Sequence, residues 1–288
     1  MSGARRGSFR VVDRRNRAMR ILQVEIPILL IVVFAIGPYL WMTLTSVKPD
    51  ADITQWPLRY WPSRITFEHY EALLAHTSFA MNLLNSLIVA VGSVLVGLAA
   101  SVPAAYAFSR FRFAGRRTLM MQFLVINMFP IVLLIIPLFV LMRSLGLLDT
   151  FIGIIAGHST FAIPFAIWML TSYMNSIPRE LDEAAFIDGA SRLQTIRLVL
   201  LPLLMPGLVT TAIYIFVTSW NEYLFAMMLS GENVRTVTVA LQHFIGEFTV
   251  QWGLLTAGGT LIAIPVTILF LLVQRRLVGG LTAGAVKA

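Results

Sequence analysis

Long apolar segments alternate with short polar segments along most of this chain. A helix that crosses a bilayer needs roughly 20 mostly apolar residues, and six of the segments reach that length. The pattern therefore predicts an all-α integral membrane protein with six transmembrane helices. The predicted spans cover residues 21–44, 81–108, 118–142, 151–174, 204–228 and 253–273.

Composition agrees with a membrane environment. Hydrophobic residues make up 58% of the chain and charged residues only 12%, whereas a soluble domain carries about 25% charged residues. Mean hydropathy is +0.80. The sequence has no cysteine, which excludes disulfides, thiolate metal sites and cysteine nucleophiles. Its four histidines are scattered and form no HExxH run, so we expect no metal site.

The net charge of +8 is divided unevenly between the two sides of the predicted bundle. Seventeen of the 22 Lys and Arg residues fall in an N-terminal arm, two loops and a C-terminal tail that share one side. The positive-inside rule places that side, with both termini, in the cytoplasm. Topology and anionic lipid headgroups thus explain the basic charge, and no nucleic-acid partner is expected. These segments are residues 1–20, 109–117, 175–203 and 274–288.

The loop over residues 175–203 is the one sizeable charged segment between two long spans, and its pattern predicts a helix, a turn and a second helix. Pro178 suits a first helical turn, where its missing N–H loses no hydrogen bond. Acidic residues then occupy the positive end of the helix dipole. Gly189 suits the end of this helix because glycine accepts a left-handed conformation. The acidic residues are Glu180, Asp182 and Glu183.

The first hairpin helix could serve as a surface-bound connection or as a docking element. Leu181, Ala184 and Ala185 have i, i+3, i+4 spacing and share one face, which the two alanines keep shallow. A connection lying on the bilayer would explain the periodicity alone. It would not explain an acidic first turn beside an anionic leaflet, so we favour docking into a basic cleft of a soluble partner.

The hairpin also carries a long spaced pattern: Glu-Ala-Ala, three residues, Gly, nine residues, then an aliphatic residue, any residue, Leu and Pro. This pattern resembles the EAA loop of ABC importer permeases. Val199 stands where Ile is usual. The segment 220–226, Pro130 and the tail at 274–287 look like the carbohydrate, MalG-like subfamily, and the likeness extends over nearly the whole chain. The residues that meet the pattern are Glu183, Ala184, Ala185, Gly189, Val199, Leu201 and Pro202.

The resemblance implies a type I ABC importer permease fold in a bacterial or archaeal plasma membrane. The hairpin would be the coupling helix that seats in a dimer of ATP-binding subunits. Glu183 would form an ion pair there, Ala184 and Ala185 would form the packing face, and Asp188 and Gly189 would make the turn. The tail at 277–288 would make a second contact. A second, MalF-like permease and an extracytoplasmic solute-binding protein are the other implied partners.

The sequence itself carries no ATP-binding loop. A P-loop needs Gly-Lys followed by Ser or Thr, whereas Lys48 and Lys287 each follow a valine. ATP and Mg²⁺ would therefore bind to a partner subunit, and this chain would bind no cofactor. His158 and Ser159 are adjacent on a predicted helix and do not face each other, so we expect no catalytic site.

Polar residues in the spans are candidates for a sugar path, because polar groups at bilayer depth tend to face a bundle interior or a cavity. Interhelical hydrogen bonding is the alternative. The resemblance also implies that the last outer loop contacts the binding protein, the alternative being a plain surface loop. The path candidates are Asn127, Tyr214, Ser219, Asn221 and Glu222, and the loop candidates are Gln242, Phe244 and Glu247.

Together these features predict the permease subunit of an ATP-driven importer of disaccharides or oligosaccharides. A stand-alone, ion-coupled secondary carrier is the alternative. It is disfavoured because the six spans show no internal repeat and contain no evident carboxylate pair.

Overall fold

The computed structural model describes the backbone of residues 19–285 and the side chains of residues 19–274. This part of the chain is helical, and its one β-bridge, between Ile245 and Val250, is isolated. The all-α prediction is therefore confirmed. The helices are α1 (Ile21–Ser46), α2 (Asp50–Thr54), α3 (Glu68–Ala75), α4 (Phe79–Arg110), α5 (Arg116–Met128), α6 (Ile135–Ser144), α7 (Phe151–Asn175), α8 (Glu180–Ile187), α9 (Arg192–Leu203), α10 (Met205–Asn221), α11 (Leu224–Leu229), α12 (Val237–Gln242) and α13 (Trp252–Ala285).

Within the described residues, the four helices α1, α4, α7 and α13 are long and apolar enough to cross a membrane without interruption. The centre of the bundle is α7, which packs along α4 and α10. Close approach depends on small residues in α4, since a Cβ at Gly97 would lie 2.7 Å from Ile215 Cδ1 of α10. By contrast α1 packs mainly on α13 and exposes almost all of its apolar length.

The predicted third span is broken. Helix α5 ends at Met128, and the segment Ile131–Ser144 leaves at 99° to it. Phe129 has an extended backbone with ψ of 134°, the conformation that a following proline favours. Pro130 also has no N–H with which to continue the helix. The prediction of one helix over residues 118–142 is therefore corrected to two helices that meet at a proline.

The predicted fifth span, residues 204–228, also differs from a single straight helix: the chain bends sharply where the span begins, and the helix ends before residue 228. Helix α9 meets α10 at 83° around Leu204, so α9 lies across the direction of the bundle. Helix α10 then runs 17 residues, or about 25 Å, and stops at Asn221. The next residue, Glu222, is extended, and its carboxylate accepts hydrogen bonds from Phe225 N and Ala226 N at 3.0 and 2.9 Å. The single helix expected over 204–228 is therefore corrected to α10 and α11, separated by a glutamate that caps the second.

The bundle has two distinct ends. We call the end that carries α8 and α9 the hairpin end, and the other the opposite end. At the opposite end, the segment after α1 folds around buried Asp52, which accepts hydrogen bonds from Arg59, Ser63 N and Ser63 Oγ. Those two bonds from Ser63 are the main reason that the pKa of Asp52 lies below its ordinary value. Of the predicted N-terminal arm, residues 1–20, the first 18 residues lie outside the described part of the chain.

Candidate functional site

The hairpin has the form that the sequence predicts. Helix α8 ends at Ile187 with Asp188 as its C-cap, and Gly189 adopts a φ of +81°. Gly189 N donates to Phe186 O at 3.1 Å and Ala190 N donates to Ala185 O at 2.9 Å, which is the hydrogen-bond pattern of a Schellman motif. Ser191 then opens α9 with a capping box closed by Gln194. The turn is therefore defined by backbone hydrogen bonds at each of its two ends.

The two faces of α8 differ from the sequence prediction. Ala184 is exposed, but Ala185 is buried against the protein itself, together with Asp182. The expectation that Ala184 and Ala185 form one outward packing face is therefore wrong for Ala185. Adjacent residues on a helix point about 100° apart, so burial of Asp182 leaves Glu183 exposed.

The exposed face of the hairpin carries apolar side chains that sequence reasoning missed. Ile187 is 86% exposed, Phe186 is 42% exposed, and Leu193 at the start of α9 is 74% exposed. All three flank the turn at Gly189. This clustering of apolar residues beside a glycine turn is the feature of the sequence that could have indicated an exposed apolar surface. We call Glu183, Ala184, Phe186, Ile187 and Leu193 the hairpin surface.

The hairpin is attached to the bundle at two points. Arg110 and Asp182 form an ion pair between the last residue of α4 and the first turn of α8, and both side chains are less than 10% exposed. On the α9 arm, buried Leu200 and Leu204 pack with Tyr106 and Met174. Of the remaining predicted loop residues, Leu201 is half-buried and Pro202 is exposed, and both lie in α9.

The second polar site lies inside the bundle. His158 of α7 places Nε2 3.1 Å from Glu222 Oε2, and its Nδ1 lies 2.7 Å from Ser219 Oγ. Ser219 in turn donates to Ser93 of α4 at 3.2 Å. The histidine thus contacts a serine on another helix and not its neighbour Ser159. We call His158, Glu222, Ser219 and Ser93 the polar cluster.

The polar cluster changes the picture of the sugar path. His158 and Ser219 are 3% and 5% exposed, and the carboxylate of Glu222 is shared between His158 and two backbone N–H groups. Ser219 and Glu222 are therefore partners in a closed network, and the expectation that they line an open path is corrected. Their contacts match the interhelical alternative.

The other three path candidates lie apart. Asn221 borders a 670 Å³ cleft between α1, α10 and α13 that Trp220 and Tyr39 also line. Tyr214 packs on Phe165 with ring centroids 4.5 Å apart. Asn127 is exposed on α5 and donates to its own helix, at Phe123 O. The structure therefore does not bring the five predicted residues into one site.

The outer-loop candidates are likewise divided. Gln242 and Glu247 are exposed, but Phe244 is only 8% exposed and packs in a core cluster with Leu73 and Phe79. The expectation that Phe244 is available to a partner is therefore corrected. The aromatic ring exposed at the tip of this turn is that of Phe248, which is 91% exposed.

Asp149 holds the start of the same loop. Its carboxylate accepts hydrogen bonds from Asn233 N, Asn233 Nδ2 and Val234 N at 3.0, 2.7 and 2.8 Å. Burial raises the pKa of Asp149, but the hydrogen bonds from Asn233 and Val234 lower it more, and the net pKa is below its ordinary value. The ionised carboxylate thus ties the loop to the turn between α6 and α7.

The chain is similar to characterised membrane proteins over most of its length. The family described as "Binding-protein-dependent transport system inner membrane component" matches residues 75–282. A trehalose transport system permease of Mycobacterium tuberculosis is 39% identical, with 90% of this chain and 94% of that protein covered. A diacetylchitobiose uptake system permease of Streptomyces coelicolor is 36% identical, with 87% and 91% covered.

Solved structures give the same fold. A chain from a bacterial ABC transporter involved in import of the acidic polysaccharide alginate superposes with a TM-score of 0.77 at 29% identity. The superposition covers 90% of this chain and 97% of that one. A methionine ABC transporter chain, at 20% identity and a TM-score of 0.53, supports the fold alone.

Proposed function

Since the chain belongs to the binding-protein-dependent transport system inner membrane component family, we propose that it is the permease subunit of an ATP-driven importer of disaccharides or oligosaccharides. The substrate class is supported by relatives named for trehalose, diacetylchitobiose and alginate, which are all built from sugar units. The chain is a multi-pass membrane protein, and its role is to form part of the translocation path.

The hairpin end faces the cytoplasm in this proposal. Support comes from the cations, since the cation-rich loops 109–117 and 175–203 both lie at this end of the bundle. The termini would be cytoplasmic as well. The exposed apolar length of α1 would face membrane lipid, or the second, MalF-like permease with which the chain would pair.

The hairpin surface docks into a dimer of ATP-binding subunits. The observation that carries this proposal is an exposed acidic residue, Glu183, beside the exposed apolar side chains of Phe186 and Ile187 on a helix fixed to the bundle. An acidic and apolar surface is complementary to a basic cleft with an apolar floor. Asp188 and Gly189 would complete the contact, while Ala185, Leu201 and Pro202 would support the hairpin.

ATP and Mg²⁺ would bind to the partner, and this chain would catalyse no reaction. The support is the absence of a Gly-Lys-Ser or Gly-Lys-Thr sequence anywhere in the chain. ATP-driven closure of the partner dimer would move the hairpin, and the bundle would alternate between inward-open and outward-open states.

On the opposite side, the turn that carries Gln242, Glu247 and Phe248 contacts an extracytoplasmic solute-binding protein in this proposal. The exposed ring of Phe248 at the tip supports it, because exposed aromatic residues are typical of interface anchors. Asn221, with the aromatic rings of the 670 Å³ cleft, is the best placed of the path candidates. Asn127 and Tyr214 would contribute only if their helices face the partner permease.

The experiment is reconstitution of the chain with its partner permease, its ATP-binding subunit and its binding protein. We expect sugar uptake that requires ATP, and ATP hydrolysis that the sugar-loaded binding protein stimulates. Glu183→Arg should lower uptake by about 100-fold, near the upper end of typical coupling energies. Glu180→Arg, the same change at an exposed glutamate three residues earlier, is the matched control.

Uptake by the chain alone, driven by an ion gradient and unaffected by ATP, would support a secondary carrier and overturn the proposal. Equal uptake by the Glu183→Arg variant and the wild type would overturn the docking role of the hairpin surface.

A further inference from the structure

A buried ion pair joins Arg110 and Asp182 where the hairpin meets the bundle. Asp182 lies in the first turn of α8, where the other two carboxylates, Glu180 and Glu183, are exposed to solvent. Its side chain is instead 7% exposed, and that of Arg110 is 8% exposed. Removing two charges from water is unfavourable, and only good geometry and further hydrogen bonds offset that cost.

Arg110 supplies those further hydrogen bonds to a third element. Its guanidinium donates from Nη1 to Met174 O at 3.3 Å and from Nη2 to Ile177 O at 3.2 Å. Met174 lies in the last turn of α7 and Ile177 lies two residues after its end, where carbonyl groups have no N–H of a following helical turn. One planar side chain with five donors therefore joins the ends of α4 and α7 to the start of α8.

Neighbouring contacts strengthen the same junction. Ser109 Oγ donates to Asn175 Oδ1 at 2.7 Å, and Arg179 Nη2 donates to Ser109 O at 2.7 Å. Ser109, Asn175 and Arg179 thus link α4, α7 and the approach to α8. We call Arg110, Asp182, Ser109 and Arg179 the hairpin clamp.

The clamp also sets the orientation of α8 about its own axis. Because Asp182 points inward, Glu183 is rotated by about 100° and Ile187 by about 140° away from the bundle. Both side chains are exposed accordingly. An unclamped eight-residue helix is too short to hold such an orientation alone.

We propose that Arg110 and Asp182 are positioning residues that make the hairpin move as one body with α4 and α7, so that motion imposed on the hairpin surface reaches the bundle. The proposal rests on the proposed function. It assigns to the pair the transmission of movement, and it leaves the contact with the ATP-binding subunits to the hairpin surface.

The test measures uptake and ATP hydrolysis together in the reconstituted complex, as sugar molecules imported per ATP hydrolysed. Asp182→Asn keeps the shape of the side chain and removes its charge. Arg110→Lys keeps the charge and removes the fork of donors. We expect both variants to retain bound ATP-binding subunit while the import ratio falls about fivefold or more, the lower end of typical coupling energies.

Two exposed residues provide matched controls. Glu180, on the same helix as Asp182, is changed in Glu180→Gln. Arg112, two residues after Arg110, is changed in Arg112→Lys. Both should keep the wild-type import ratio. A double variant, Arg110→Asp with Asp182→Arg, restores the opposite charges but not the bonds to α7, and we expect only partial recovery.

An unchanged import ratio in an assembled Asp182→Asn complex would overturn the proposal. So would loss of ATP-binding subunit from all clamp variants while the controls assemble, because the pair would then serve only to fold the hairpin. If the wild-type complex itself shows no sugar-stimulated ATP hydrolysis, the proposed function fails instead.

Discussion

Two carboxylates with little solvent exposure, Asp182 and Glu222, have opposite effects on the residues around them. Asp182 at the hairpin end pairs with Arg110, and its neighbours on α8 are turned outward to form an exposed surface. Glu222 pairs with His158, and its neighbours on both sides belong to helix ends that it separates. The first carboxylate fixes an element that a partner can reach, whereas the second shapes an internal break. A charged side chain that is shielded from solvent therefore does not identify a functional surface by itself. The residues that its helix leaves exposed form that surface.

Removing Glu222 should have the largest effect on stability. Glu222→Ala leaves His158 and the N–H groups of Phe225 and Ala226 without their acceptor, and we expect a loss of about 3 kcal/mol. The measurement is thermal unfolding of the purified complex. Glu222→Gln, which keeps an acceptor oxygen, should cost about 1 kcal/mol. Equal stability of Glu222→Ala and the wild type would mean that the polar cluster does not hold the break.

At the hairpin surface the comparison predicts the reverse, a change in binding with little change in stability. Ile187 is 86% exposed, so Ile187→Ser should leave thermal unfolding of the isolated permease unchanged. Loss of its burial in the partner cleft should weaken binding of the ATP-binding subunit by about 1.5 kcal/mol, or roughly tenfold. Ile187→Val is the control and should stay near wild type. A stability loss without a change in affinity would place Ile187 against its own chain.

A substitution in the hairpin turn tests whether uptake depends on the backbone shape of the turn as well as on the side chains of the hairpin surface. Gly189 has a φ of +81° with no atom near its missing Cβ, so Gly189→Ala adds strain without a clash. We expect a cost of about 1 kcal/mol at the turn and a roughly fivefold loss of uptake. Asparagine tolerates the left-handed conformation better than alanine, so uptake by Gly189→Asn should lie between that of Gly189→Ala and that of the wild type. Uptake equal to wild type in Gly189→Ala would show that the turn is not position-sensitive.

The smallest effect concerns a third carboxylate, Asp149, which holds the outer loop. Its pKa is below the ordinary value in the folded protein, so its ionised form stabilises the loop above the unfolded pKa near 4. This stabilisation is lost as the pH falls through the lower folded pKa. The protection factors of the Asn233 and Val234 amides, which correct exchange for its intrinsic pH dependence, should therefore fall on acidification, and Asp149→Asn should remove this pH dependence. An identical pH dependence in Asp149→Asn would assign it to another group.

Much of the fold was accessible from the sequence because a bilayer imposes a length on each apolar segment. Four of the six predicted spans are continuous helices within the described residues. The two that failed contain residues whose effect is local: Pro130 breaks one, and Glu222 caps a new helix in the other. A proline can kink or end a helix depending on its neighbours, so the 99° angle could not be read from the sequence.

The hairpin turn at Gly189, the acidic first turn and the absence of a P-loop were all determined by the sequence alone, since each depends on residue type and short spacing. Only the tertiary structure decided which side of each element is exposed. It buried Asp182 and Ala185 and exposed Glu183 and Ile187, and it placed Phe244 in the core and Phe248 at a tip. Periodicity shows which residues share a face of a helix. It does not show which face turns toward the bundle and which toward solvent, because that depends on the groups against which the helix packs.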